Sequence, residues 1–247
     1  MTPLLRRLPP AGQLSCHNST RYCEVTDAWA GQTVVCIATG TSLTAEQVAR
    51  TRCGVDLDGR KVFSIAINDA YTLAPWADML YFADAGKNDW LSWHRDRPAF
   101  KAFAGQKCMI DVDAEHLRRE DEVFLLKHAG AEGLSSVRTG ITTGSNTGHQ
   151  ALNIAGLARP ALILMLGYDA HPGPDKKVHF FGQHPDRSLP PFNHIIKAMS
   201  TLQRPMAALG IRVVNCTPGS AIDCFERGDI ASFLPDPRPA VVPAPGV

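Results

Sequence analysis

The chain has 247 residues, 45% apolar and 20% charged, and its 25 Lys and Arg nearly balance 24 Asp and Glu for a formal charge of +1. This is globular composition with enough apolar material for a sizeable core, and it excludes a disordered chain. Charges of both signs are interspersed, so no basic stripe points to nucleic acid and no acidic block to a solvating tail. No apolar run approaches the roughly 18–20 residues of a membrane span.

In chain order, residues 1–30 carry Pro9-Pro10 and a polar run at 17–21 and are expected to form an irregular arm. Arg6 and Arg7 have no apolar stretch behind them, so no secretory signal is expected and the protein is read as cytoplasmic and reduced. The seven cysteines fit that reading. Cys36, Cys108 and Cys216 lie in apolar runs, and the one close pair, Cys16 and Cys23, matches no common zinc spacing, so no metal site is expected.

Residues 31–230 read as one Rossmann-like nucleotide-binding domain. Apolar runs at 33–38, 62–67, 78–82, 107–112, 162–166 and 211–214 lack polar alternation, as strands covered on both faces do. Helices are expected at 42–50, at 147–157 (polar at 149, 150 and 153) and at 195–209, with a kink at Pro205. Strand, helix, strand in repetition predicts an α/β fold, a mostly parallel sheet flanked by helices with right-handed crossovers. The segment 231–247 is rich in proline, five of them from 235 onward, and reads as a loose tail.

In such sheets ligands sit beyond the carboxyl ends of the strands. The first strand is followed by Gly40-Thr41-Ser42, where glycine permits close backbone approach and a helix start favours anions, although Ser42 also suits an N-cap. Asn68 follows the second strand and Asp84 the third; either suits a nucleoside or a turn. The run 139–149 (TGITTGSNTGH) includes Thr143-Gly144-Ser145 and precedes a helix, which suits contact with phosphate or sugar. Gly167-Tyr168-Asp169 follows the most apolar strand, with His171, His179 and His184 close behind as candidate acids or bases.

In this order the motifs resemble those of the bacterial sialyltransferases that use CMP-sialic acid without metal, the glycosyltransferase family 42 type. They are also similar to Rossmann-like proteins related to the archaeal hydroxymethylpterin diphosphokinases, several of them phage-borne; the run 68–84 is most like those. Gly40, Ser42 and Leu43 match a Gly-Asn-Gly-Pro-Ser-Leu turn, with Thr39 and Thr41 in place of its Asn and Pro. Asn68 matches a nucleotide-contacting Asn, 143–145 a Thr-Ser-Gly loop, and Gly167-Tyr168-Asp169 a Gly-x-Asp, with His171 where the family has tyrosine. The His-Tyr-x-Gly-His segment falls on 179–184, so the resemblance implies His184 as catalytic histidine, His179 as its alternate, and Asp169 in the same site.

The resemblance implies a metal-independent transferase with no bound cofactor, taking a nucleotide-sugar donor and an acceptor the sequence does not identify. Two other functions remain open. One is magnesium-dependent diphosphate transfer from ATP to a hydroxymethyl acceptor, with Asp84 and Asp169 on the metal. The other is a nucleotide-sensing or phage accessory protein without turnover.

Overall fold

The computed structural model describes residues 3–8, 21–182 and 190–237. Two short strands, β1 (Leu5–Arg7) and β2 (Cys23–Val25), pair antiparallel ahead of the main sheet. That sheet runs in sequence through β3 (Thr33–Ile37), β4 (Val62–Ile67), β5 (Met79–Tyr81), β6 (Gln106–Ile110), β7 (Val123–His128), β8 (Gly140–Ile141), β9 (Leu162–Leu166), β10 (Arg212–Asn215) and β11 (Glu226–Arg227). Its nine strands lie in the order β11-β10-β9-β3-β4-β5-β6-β7-β8, all parallel. The protein is therefore a single α/β domain of Rossmann-like form. Among the described residues, no helix is long and apolar enough to cross a membrane.

The unbroken apolar runs follow from burial on two sides. Val34 and Cys36 of β3 face one core, and Val35 and Ile37 face the other. Burying each such aliphatic side chain stabilises the fold by about 1.5–3 kcal/mol. The first core lies under α4 (Thr147–Leu157) and α5 (Phe192–Ala208); the second lies under α1 (Ala45–Arg50), α2 (Trp90–His94) and α3 (Pro98–Lys101).

Several boundaries differ from expectation for local reasons. α1 starts at Ala45 because Thr44 caps it, in a capping box with Gln47. α5 starts earlier than its periodicity implies and continues through Pro205 to Ala208. The stretch expected to be an irregular arm supplies β1, β2 and the core residues Leu5, Val25 and Trp29. Strand β7 had no counterpart in the expected strands; its last two residues, Lys127 and His128, are exposed.

Helix α4 has the largest consequence for the site. It carries the chain from β8, at one edge of the sheet, back over β3 and β4 to β9. Its polar residues do not face water: His149, Gln150 and Asn153 are all buried. Gln150 Oε1 accepts from the Tyr81 hydroxyl at 3.0 Å. Asn153 Oδ1 accepts from Ser135 N–H at 2.9 Å, and its Nδ2 donates to Gly133 O at 3.0 Å and Thr142 Oγ1 at 2.8 Å, so this side chain pins the loop before the helix.

His149 has no such partners. Neither ring nitrogen has a hydrogen-bond partner among the described residues, and a Cβ on Gly144 would lie 2.2 Å from its ring. Burial lowers its pKa from 6.5 to about 4, opposed only by the nearby Thr142 backbone, which lies outside hydrogen-bond geometry. The folded state therefore refuses a proton that the unfolded chain accepts. Stability should be insensitive to this residue above pH 6.5, fall as pH drops toward 4, and level off below that, a loss of about 3 kcal/mol in total. Urea unfolding of the wild type and of His149→Met across pH 7.5 to 4 checks this. The variant should show a shallower acid slope, and equal slopes would assign the acid sensitivity to other groups.

Candidate functional site

The order of the sheet reverses between β3 and β9. Successive strands extend one way from β3, while β9 and β10 lie on its other side. Such a reversal opens a crevice beyond the strand ends, where doubly wound sheets bind their ligands. Here the crevice floor is closed by Asp169. Its Oδ1 accepts from Ser42 N–H at 2.8 Å and from the Thr41 hydroxyl at 3.3 Å, and its Oδ2 accepts from the Ser42 hydroxyl at 3.0 Å. The carboxylate is 4% exposed.

This latch explains the glycine after β3. A Cβ at position 40 would stand 1.9 Å from Asp169 Oδ2 and 2.5 Å from Gly167 O. Gly40 N–H also donates to Gly167 O at 2.9 Å, and Gly167 itself holds φ +70°. The close approach that demands glycine is thus made by the protein's own carboxylate. The Thr41 hydroxyl and the Ser42 hydroxyl and N–H, expected to face a ligand, are engaged with Asp169.

The β9 end is held from its other side by the turn after β10. Thr217 Oγ1 accepts from Tyr168 N–H at 2.9 Å, and the Ser220 hydroxyl donates to Tyr168 O. Asn215 organises that turn, donating to Ser220 Oγ at 2.9 Å and to Ile222 O at 3.1 Å while accepting from Thr217 N–H at 3.1 Å. The Tyr168 ring is buried and its hydroxyl donates to Gly148 O at 3.2 Å, which ties β9 to the first turn of α4. Position 148 has no room for a side chain, because a Cβ would meet Tyr168 Cε1 at 2.8 Å.

Above this floor is a cavity of about 650 Å³, within the usual range of small-ligand sites, roughly 300–1,000 Å³. Of the residues singled out in the sequence, Gly40, Asn68, Asp84, Gly167, Tyr168 and Asp169 line it, as do His171 and His179. Thr41, Ser42 and the run 143–145 do not line it. Instead the wall is made by the next three residues, Asn146, Thr147 and Gly148. Asn146 caps α4 by accepting from His149 N–H, and the N–H groups of the first helical turn have no acceptor within the helix.

His179 is fixed at this wall: its Nδ1 lies 3.2 Å from Thr39 Oγ1, and the next residue, Phe180, donates its N–H to Thr39 O at 2.8 Å. The ring nitrogens of His171 face Pro172 O at 2.8 Å and Gly219 O at 3.1 Å. His184 lies outside the described residues.

One wall was not anticipated. Asp69, Trp90, Trp93, His94 and Arg97 line the side of the cavity beyond β4. His94 Nε2 lies 3.0 Å from Asp69 Oδ1, and His94 Nδ1 lies 3.0 Å from the Tyr71 hydroxyl. The Trp90 indole stacks on the His94 ring at 4.1 Å and 9°. Burial acts to raise the pKa of Asp69, but the hydrogen bond and charge of His94, with smaller contributions from Trp90 and Arg97, outweigh it and hold the carboxyl below its usual range. Burial pushes the Tyr71 phenol up to about 12, so it keeps its proton. Beside Asp69, Asn68 has φ +49° and a buried Oδ1 with no partner among the described residues.

Among the described residues, no group of three or more His, Cys, Asp or Glu is placed to hold a metal ion.

These contacts give two expectations for stability. Asp169→Ala strips the acceptor from three donors at once and should cost about 2–4 kcal/mol in urea unfolding; a loss below 1 kcal/mol would show that the latch is not holding the two strand ends. Asn68→Gly should do the opposite, raising stability by about 1 kcal/mol, because glycine adopts the left-handed backbone freely and removes an unpartnered oxygen. Unchanged or reduced stability would mean that the asparagine is not strained.

Comparison of the chain with protein-family models, curated proteins and solved structures gives no match, so the site is read from its own geometry.

Proposed function

We propose that the protein binds a nucleotide in the switch-point cavity and transfers a group from it without metal, the donor being a nucleotide sugar and the base a histidine of the segment after β9. The observation that carries the reading is the cavity's place and polarity. It lies at the strand-order reversal, its β9 side is bounded by the first turn of α4, and the stretch bearing His179 forms part of its wall. N–H groups at a helix start favour a phosphate. A histidine held nearby is suited to take the proton of an attacking hydroxyl, an effect worth about 10²–10⁴-fold in rate.

Magnesium-dependent diphosphate transfer would need carboxylates turned toward the metal. Both oxygens of Asp169 already accept from Thr41 and Ser42, which favours the metal-independent reading over that one.

Calorimetric titration with CMP, UDP, ADP and their sugar conjugates, each in EDTA and in Mg²⁺, tests both readings. Binding of at least one nucleotide that is unchanged by EDTA is expected; strict dependence on Mg²⁺ would transfer support to diphosphate transfer, and no binding at all would end the nucleotide reading. With a turning-over donor, His184→Ala should lower kcat by about 10²-fold or more with donor affinity nearly unchanged, and His179→Ala should do less. The reverse ranking assigns the base to His179, and activity surviving both changes removes the histidine base.

A further inference from the structure

The cavity has two chemically different ends. Toward β9 it presents the first helical turn of α4, with its N–H groups, and His179. Toward β4 it presents the Asp69 carboxylate, whose side chain is 26% exposed; Asn68 lines the same end, its Oδ1 buried and without a partner among the described residues. The first end favours an anion; the second sets the Asp69 carboxylate beside the Arg97 guanidinium and the Trp90 indole, an acceptor among donors, which suits hydroxyl groups.

We propose that the β4 end is a sugar-hydroxyl subsite, in which Asp69 accepts from a vicinal diol; this rests on the nucleotide reading of the cavity. An ionised Asp69 requires a hydrogen on His94 Nε2, and the Tyr71 hydroxyl at Nδ1 accommodates that arrangement by donating. The His94 ring is in turn clamped by the Trp90 stack. One carboxylate oxygen is thereby committed to the protein, and the group is fixed as an acceptor before any ligand arrives. Such a carboxylate is a weak proton acceptor but a strong hydrogen-bond acceptor, which separates this role from that of a catalytic base. His94 is a positioning residue: both its nitrogens are occupied by Asp69 and Tyr71.

Two sources can supply the diol, the ribose of the nucleotide or the ring of a transferred sugar. Titration of the wild type with CMP, UMP and AMP against their 2′-deoxy and 2′,3′-dideoxy forms isolates the ribose, since these probes carry no second sugar. If ribose fills the subsite, the deoxy forms should bind about 10- to 100-fold more weakly, and Asp69→Asn should collapse that gap by weakening the ribonucleotide alone. If the transferred sugar fills it, the monophosphates should show no gap, while a nucleotide sugar should lose its advantage over the matching diphosphate in Asp69→Asn. Nucleotide binding with neither signature overturns the subsite and leaves the nucleotide reading standing. Failure of every nucleotide and nucleotide sugar to bind overturns both. The wild-type series needs no variant to fold. His94→Gln, which can still donate toward Asp69, should retain more of the gap than His94→Ala, an ordering that loss of packing alone would not produce.

Discussion

The carboxylate of Asp169 joins the ends of the two strands between which the sheet reverses, and the geometry of the cavity follows from that bond set. Turns at the ends of adjacent parallel strands leave N–H groups and hydroxyls that must be paired or hydrated. Here one buried side chain from the β9 end satisfies Ser42 N–H and two hydroxyls of the β3 end. Bringing the carboxylate so close leaves no space for a side chain at position 40. Because Tyr168, next to Asp169, is held by Thr217 and Ser220 on one side and bonds Gly148 on the other, the latch also locates the start of α4. The floor and one wall of the cavity are thus a single hydrogen-bonded unit.

The sheet was legible because burial on both faces writes an unambiguous pattern: 33–38 and 162–166 are apolar without alternation, and both become central strands. The strand-end sites were legible for the same reason, since locating a strand locates the residues that follow it. What the sequence could not convey was which partner each polar residue finds. Gly40 was read as a point where the backbone approaches a ligand, whereas the group that crowds it comes from Asp169, 129 positions later. The polar residues of α4 are all buried, Asn153 against the loop that it pins and Gln150 against the Tyr81 hydroxyl. The wall formed by α2 had no signal at all, because a five-residue helix is too short to show a period, and the Asp69–His94–Tyr71 contacts exist only in three dimensions.

Two residues near the start of α4 and the end of β4 carry buried polar atoms without partners, and their positions give them different meanings. An unpartnered polar atom typically costs about 1–3 kcal/mol, so a fold retains one only where something else holds it in place. The imidazole of His149 is sealed against Gly144 and does not line the cavity. Its ring is fully buried, and it acts on stability and on the pH at which stability is lost. Asn68, by contrast, lines the cavity, and its backbone is in the left-handed region. Strain of that kind accumulates where the surrounding structure imposes it for function. Substituting Asn68 with glycine removes both the strain and the unpartnered oxygen. The adjacent Asp69 is fixed by an independent set of bonds through His94, and both residues line the same end of the cavity. Those bonds orient the Asp69 carboxylate before any ligand arrives, which is what the proposed hydroxyl subsite requires.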